Sequence, residues 1–205
     1  MDTKLQPTLK PVLIATLRPT QITVGLREVA ERRRHWRRKR GKSAAKFLGK
    51  HMIPVVLGPG EHHYLIDNHH LARALYDEGV KSVLTTVVAD LRRLDAAAFW
   101  FVMDNRGWLH PFDERGRRLS HTELANTVGG LRDDPFRSLA GELRRAGGFA
   151  KETMPFAEFL WADFLRRRMK RKLVLKNFNL ALKEALTLAK SDVADYLPGW
   201  CGPAA

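Results

Sequence analysis

The stretch "IPVVLGPGEHHYLIDNHHLARALYDEGV", Ile53 to Val80, limits the possible folds more than any other part of the chain. Two short apolar runs, "IPVVL" and "HHYLI", flank Gly58-Pro59-Gly60, the pattern of a β-hairpin. The period then changes without a linker. From His69 to Glu78 the apolar residues Leu71, Ala72 and Leu75 recur at helical spacing, and Gly79 ends the run. A strand therefore has to stop, and a helix start, within Asp67-Asn68-His69-His70.

The remaining elements follow from the same signals. "VLIATL", residues 12–17, predicts a buried strand closed by Pro19, and "VLTTVVADL", residues 83–91, is the clearest strand of all. Thr23 reads as the N-cap of a helix from about Val24 to Arg40, and Gly41 to Ala45 as a flexible segment. Asp95 caps a helix carrying "AAAFWFVM", and Ser120-His-Thr-Glu123 matches a capping box. Asp134-Pro135 reads as an N-cap with proline in the first turn, opening a helix that ends near Gly147-Gly148. Amphipathic helices are expected from Met154 to about Lys172 and from Asn179 to Tyr196. Strands come early and helices late, so the fold class is α+β with a helical carboxy-terminal half.

The chemistry concentrates where strand meets helix. First-turn amide groups point out of a helix and its dipole adds positive charge there, which makes such a junction a natural seat for phosphate. Asn68, His69 and His70 can donate to phosphate oxygens, and His70 can also carry a proton. Asp67 can cap the helix, hold magnesium beside the phosphates, or take a proton from an attacking hydroxyl. Asp133 and Asp134 can be paired magnesium ligands, or a helix cap with its neighbour. His62 and His63 are expected at the exposed hairpin tip, and the four histidines lack the spacing of a zinc site.

Charge points to the class of partner. Thirty-six Lys and Arg stand against 22 Asp and Glu, a formal net charge of +14, which draws polyanions. Nine basic residues fall between Arg27 and Lys42 against two acids. Arg33, Arg34, Arg37, Arg38 and Arg40 suit contact with a nucleic-acid backbone, salt-sensitive and without base reading. Cys201 is the single cysteine, so no disulfide framework exists. No secretory pattern and no apolar run of membrane length is present, and the chain reads as cytoplasmic. The aromatic helix around Trp161 can serve a core or a homodimer.

The block from Ile53 to Val80 resembles the central block of the ParB-like/sulfiredoxin superfamily, in which a strand pair leads into a nucleotide-phosphate motif at a helix start. Its free-serine kinases carry Asp-Gly-His-His-Arg. Here Asp67, His69 and His70 match, Asn68 stands for the Gly, and Leu71 for the Arg, which removes a bidentate phosphate fork. "PTQITVGLREV", "IDNHHLARAL" and "DDPFRSLAGELRRAGGF…PFAEFLWADFLR" together resemble the bacterial family described as "putative ParB-like nuclease". The resemblance implies a small mixed sheet with helices over about residues 10–115, and a helical region over 116–198 packed on it.

It also implies a nuclease or a nucleotide-dependent phosphotransferase, with ATP, ADP or CTP and Mg2+ as ligands. By analogy with the kinase branch, Glu28 becomes a candidate base, with Arg27 beside it at the phosphates; a solvated first-turn acid is the other reading of Glu28. Two alternatives stand beside this reading: a basic nucleic-acid-binding module switched by nucleotide, and a free amino acid kinase of serine type. Sulfinic acid reduction needs a cysteine in the motif, and there is none.

Overall fold

The computed structural model describes residues 11–39, 42–154 and 156–203, and of Lys42 only the backbone. In chain order the strands are β1 (Pro11–Leu13), β2 (Arg18–Pro19), β3 (Thr23–Val24), β4 (Ile53–Gly58), β5 (His62–Leu65), β6 (Ser82–Asp90) and β7 (Arg132–Asp133). The helices are α1 (Leu26–Arg37), α2 (Lys42–Lys50), α3 (His69–Asp77), α4 (Ala96–Asn105), α5 (Pro135–Arg145), α6 (Ala157–Arg168), α7 (Arg171–Lys176) and α8 (Phe178–Ala189). The fold is α+β, as the order of patterns predicts. Among the described residues no helix is long and apolar enough to cross a membrane.

The chain forms two compact units. The first takes the residues up to Ile22, Val29–Pro111 and Ser120–Leu131; the second takes Thr23–Glu28, Phe112–Leu119 and everything from Arg132. The boundary between them passes through α1.

The first unit holds a mixed five-stranded sheet in the order β1-β6-β4-β5-β2. β4 and β5 form the expected antiparallel hairpin, with Val56 opposite Tyr64. β6 runs parallel to β4, so the chain must cross over between them, and α3 is that crossover. One apolar cluster of this unit joins Val56, Tyr64, Phe99, Met103 and Leu109. Gly58 is needed here: a Cβ would lie 2.5 Å from the Tyr64 ring and 2.7 Å from that of Phe99. Asp95 caps α4 through the Ala98 amide at 2.8 Å.

The second unit is built on α5, α6 and α8. Phe136, Leu139, Leu143, Trp161, Phe164, Leu165 and Ala185 share its buried core. Asp134 accepts from the Phe136 amide at 2.9 Å, so Asp134-Pro135 opens α5 as its sequence requires. A two-stranded parallel ladder, Thr23 opposite Arg132 and Val24 opposite Asp133, completes this unit.

Four local expectations give way. Thr23 lies in β3 and caps nothing; α1 starts at Leu26, and the acceptor for the Leu26 amide is Asp133 Oδ1 at 2.9 Å. Lys42 to Ala45 form the start of α2, since nothing in "KSAA" opposes a helix, while Gly41 lies outside the described residues. Of the first apolar run only Val12 and Leu13 are strand, within Pro11–Leu13; Ile14–Thr16 make a turn of 3-10 helix. Ser120 accepts from Thr122 at 3.2 Å, closing one 3-10 turn where a capping box predicts a longer helix.

Candidate functional site

At the start of α3 the backbone takes an unusual course. Asn68, its N-cap residue, has φ 63° and ψ 25°, the left-handed region. Glycine enters that region freely and asparagine is among the few side chains that tolerate it. This explains why Asn68 can stand where the related string has Gly. The side-chain amide of Asn68 does not cap the helix; it donates to the Met52 carbonyl at 3.3 Å. Asn68→Gly should leave stability nearly unchanged, whereas Asn68→Ala should cost about 1 kcal/mol. Thermal melts of both variants check this.

Asp67 is exposed, and its Oδ1 accepts from the Asn68 amide at 2.6 Å. It therefore takes the amide just outside the helix, not the first-turn amides that a cap would take. The first bond of α3 runs from the Ala72 amide to the Asn68 carbonyl at 2.9 Å. The amides of His69, His70 and Leu71 precede it, and no side chain of the cap position covers that end.

His69 and His70 differ. His69 is buried, at 5% exposure, and its Nε2 accepts from the Thr20 amide at 3.2 Å. The ring is thereby the neutral tautomer protonated on Nδ1, and it fastens β2 to the helix start. Thr20 Oγ1 adds a bond to the Leu65 carbonyl at 2.8 Å. The His69 ring is thus a structural anchor at Nε2. His70 is half-buried on the same turn. Further along, Arg73 pairs with Asp77 at 2.9 Å and donates to the Leu131 carbonyl at 2.6 Å, which holds the helix in register.

Glu28 and Arg27 group with the second unit. Arg27 lays its guanidinium 3.8 Å over the Phe178 ring. The Glu28 carboxylate sits 3.3 Å from where a Cβ on Gly141 would be. It helps compensate Arg137, a buried guanidinium that packs 3.5 Å over Phe159, with Nη1 3.8 Å from Glu158. Burial pushes the Arg137 guanidinium below its usual value, against the pull of Glu158, Asp134 and Glu28. Gly25 stands at the head of this block because a Cβ there would fall 2.6 Å from Ser138 Oγ and 2.7 Å from its amide nitrogen. The Arg27 amide donates to that same Ser138 Oγ at 3.3 Å. Asp133 and Asp134 are both occupied as helix caps, and Asp134 also binds Arg166 at 2.5 Å, so they do not form a carboxylate pair open to magnesium.

The arginines of α1 divide as well. Arg37 grips Glu78 with two bonds of 2.8 Å, and Arg33 adds a third at 2.7 Å. These two are committed within the first unit. Arg34 and Arg38 are exposed, and Arg40 lies outside the described residues. Arg37, with Arg33, holds the Glu78 carboxyl at about 2, below its ordinary 4.5. A depressed carboxylate stabilises the fold above its unfolded value, and that contribution disappears as pH falls from about 4.5 towards 2. Arg37 is exposed to solvent, so screening reduces the contribution to about 1 kcal/mol. Melting temperature against pH should fall in that window, and Glu78→Gln should flatten it.

Among the described residues no three His, Cys, Asp or Glu side chains gather as metal ligands. His62 and His63 are strand residues opposite Gly58 and Leu57 and are half-buried, not at an exposed tip. Burial, helped by Arg18 and His63, lowers the His62 value. Asp67 can offer magnesium one exposed carboxylate; the remaining ligands would have to be phosphate oxygens and water, as is usual for that ion.

Comparison with known proteins agrees with this architecture. No curated protein matches the chain. The crystal structure of protein Atu1540 from Agrobacterium tumefaciens is similar at 50% identity over 97% of this chain and 100% of that one, with a TM-score of 0.89. Residues 10–167, which hold the strand–helix junction, both caps at Asp133 and Asp134, and nearly all of α6, match a family described as "Putative ParB-like nuclease". The chain belongs to that ParB-like family.

Proposed function

We propose that the first turn of α3 binds the phosphate groups of a nucleotide or nucleic acid, and that the protein acts on phosphate esters as a nuclease or nucleotide-dependent phosphotransferase. The observation that carries the reading is the helix end itself. Asn68 turns through the left-handed region and sends its side-chain amide to Met52, so its own side chain does not cap the helix. Helix dipole and outward amides favour an anion there. His70 adds a donor from the side, and Asp67 orients a magnesium ion or the nucleophile. Membership of a ParB-like family supports the same reading.

The test is a thermal-shift panel with ATP, ADP, CTP and a short DNA duplex, each with and without magnesium. A ligand at 100 times its dissociation constant that binds only the folded protein stabilises it by about 2.7 kcal/mol. The expected result is stabilisation by one nucleotide, weakened at least tenfold in His70→Ala, with any turnover lost in Asp67→Ala. Turnover surviving in Asp67→Ala removes Asp67 from the chemistry. No stabilisation by any of these ligands refutes the phosphate seat.

A second reading, a basic module that grips nucleic acid without turnover, rests on the exposed Arg34 and Arg38 of α1. It requires DNA retention that decays steeply with salt. The serine-type kinase reading has less support, since Leu71 is buried at 2% exposure and supplies no charge where the kinases carry Arg.

A further inference from the structure

Residues 166–183 of the second unit carry eight Lys or Arg and no Asp or Glu. Three of the eight are occupied. Arg166 is held by Asp134 and Asp163, Arg167 by Asp163 at 2.6 Å, and Arg168 lies 4.1 Å over the Phe164 ring. The other five, Lys170, Arg171, Lys172, Lys176 and Lys183, are exposed, and among the described residues no carboxylate pairs with any of them. The α1 cluster differs, since Arg33 and Arg37 there are bound to Glu78.

Four of the five lie in or next to α7. That helix buries Val174, at 3% exposure, and packs Leu173 against the core, which fixes its inner side. At about 3.6 residues per turn the outer side consists of two adjacent rows, Arg171 with Leu175 and Lys172 with Lys176. Lys170 precedes them as the N-cap residue and makes no side-chain cap bond. Helix stability does not ask for this arrangement. Lys170, Arg171 and Lys172 stand at the positive end of the α7 dipole, where cations are unfavourable. A row of exposed, unpaired cations set against the local dipole points to an anion from outside.

The face also selects the kind of anion. A single small anion would engage only part of a row that runs the length of the helix. A helix that lies in a membrane surface turns its apolar stripe outward, whereas α7 turns Leu173 and Val174 inward and shows only Leu175, at 57% exposure. A line of closely spaced negative charges matches the row. We propose that the outer face of α7, with Lys170 before it, is a contact surface for a nucleic-acid backbone, held by charge and without base reading. It lies beyond residues 10–167, over which the chain matches its family, and in the unit that does not hold Arg34 and Arg38. The inference rests on the nucleic-acid part of the proposed function and adds a second surface to it.

The experiment measures binding of the full chain to a short DNA duplex and to an RNA duplex of the same length, by fluorescence anisotropy across a salt series. Poly-glutamate and vesicles of phosphatidylserine with phosphatidylcholine are the competing polyanions. The variants are Lys172→Gln with Lys176→Gln, Arg34→Gln with Arg38→Gln, and Leu175→Ser. Each phosphate contact contributes about 0.9 to the slope of log affinity against log salt. The Lys172→Gln, Lys176→Gln variant should bind the preferred duplex roughly tenfold more weakly at low salt, with the slope reduced by about 2. Its melting temperature should not fall, and Leu175→Ser should bind as wild type does. Such a loss with either duplex upholds the surface, and the tighter duplex identifies its source.

Wild-type affinity and slope in the Lys172→Gln, Lys176→Gln variant, with a loss in Arg34→Gln, Arg38→Gln, overturn the α7 surface and spare nucleic-acid binding by α1. No retention of either duplex by the wild type overturns both. Equal binding of poly-glutamate overturns the choice of nucleic acid. Vesicles bound more tightly than either duplex, and released by Leu175→Ser, make the face a membrane contact and overturn the proposal.

Discussion

Asp134→Ala should lower the free energy of unfolding by about 3 kcal/mol, the larger part of it through Arg166. The carboxylate has two roles in the second unit: Oδ1 caps α5 at the Phe136 amide, 2.9 Å away, and Oδ2 holds Arg166 at 2.5 Å. Loss of an N-cap costs about 1 kcal/mol. Arg166 is only 15% exposed, and its Nε has no hydrogen-bond partner, so removing Asp134 leaves a largely buried charge short of compensation. Breaking such a pair costs about 3–5 kcal/mol when both groups are buried, and somewhat less with Arg166 partly wet and Asp163 still 3.2 Å from it.

Asp134→Asn keeps an oxygen for the cap and should cost about half as much. Burial raises the Asp134 carboxyl above its ordinary value, against the pull of Arg166. Urea denaturation followed by circular dichroism decides the matter. A cost below 1 kcal/mol together with loss of a magnesium-dependent activity would return Asp134 to the metal-ligand role that its sequence also permits.

Trp161→Ala should be the more damaging change, at about 4 kcal/mol. The ring is fully buried, stacks on Phe149 at 4.4 Å and 9°, and meets Phe164 edge-on at 5.7 Å. Its Nε1 donates to the Pro198 carbonyl at 2.8 Å, tying α6 to the carboxy-terminal segment. Truncation opens a cavity and frees that carbonyl together. Trp161→Phe keeps much of the stack and should cost about 2 kcal/mol. The same denaturation curves test both. An unchanged midpoint with an altered oligomeric state would show that the ring serves an interface and not a core.

The strand–helix junction was readable because two periods of hydrophobicity meet there and Gly79 ends the helix. The caps at Asp95 and Asp134 were readable for a similar reason: cap residue and helix are neighbours in sequence. The cap of α1 was not, because its acceptor, Asp133, comes from β7. Nor does local pattern reveal that the His69 ring faces Thr20, or that Arg33 and Arg37 close on Glu78; these are pairings 41 to 49 residues apart. A run of arginines looks like one surface until the structure shows which members already have carboxylates. The helix α2 was hidden because "GKSAA" reads as a loop, although Phe47 and His51 stand at helical spacing. The glycine in "VGLREV" carried one further signal, a backbone packed too closely for any side chain.

The cap of α1 also has a timetable. The Leu26 amide waits for an oxygen 107 positions further along the chain. A ribosome adding about 5–20 residues per second makes that atom roughly 5–20 s after the helix it completes. Throughout that interval the nascent chain carries the arginine-rich stretch of α1 with its amino-terminal turn unfinished, and β3 without its partner strand. This segment therefore reaches its final state late in synthesis, and a chain stalled before Asp133 exposes it to whatever binds basic, half-formed helices.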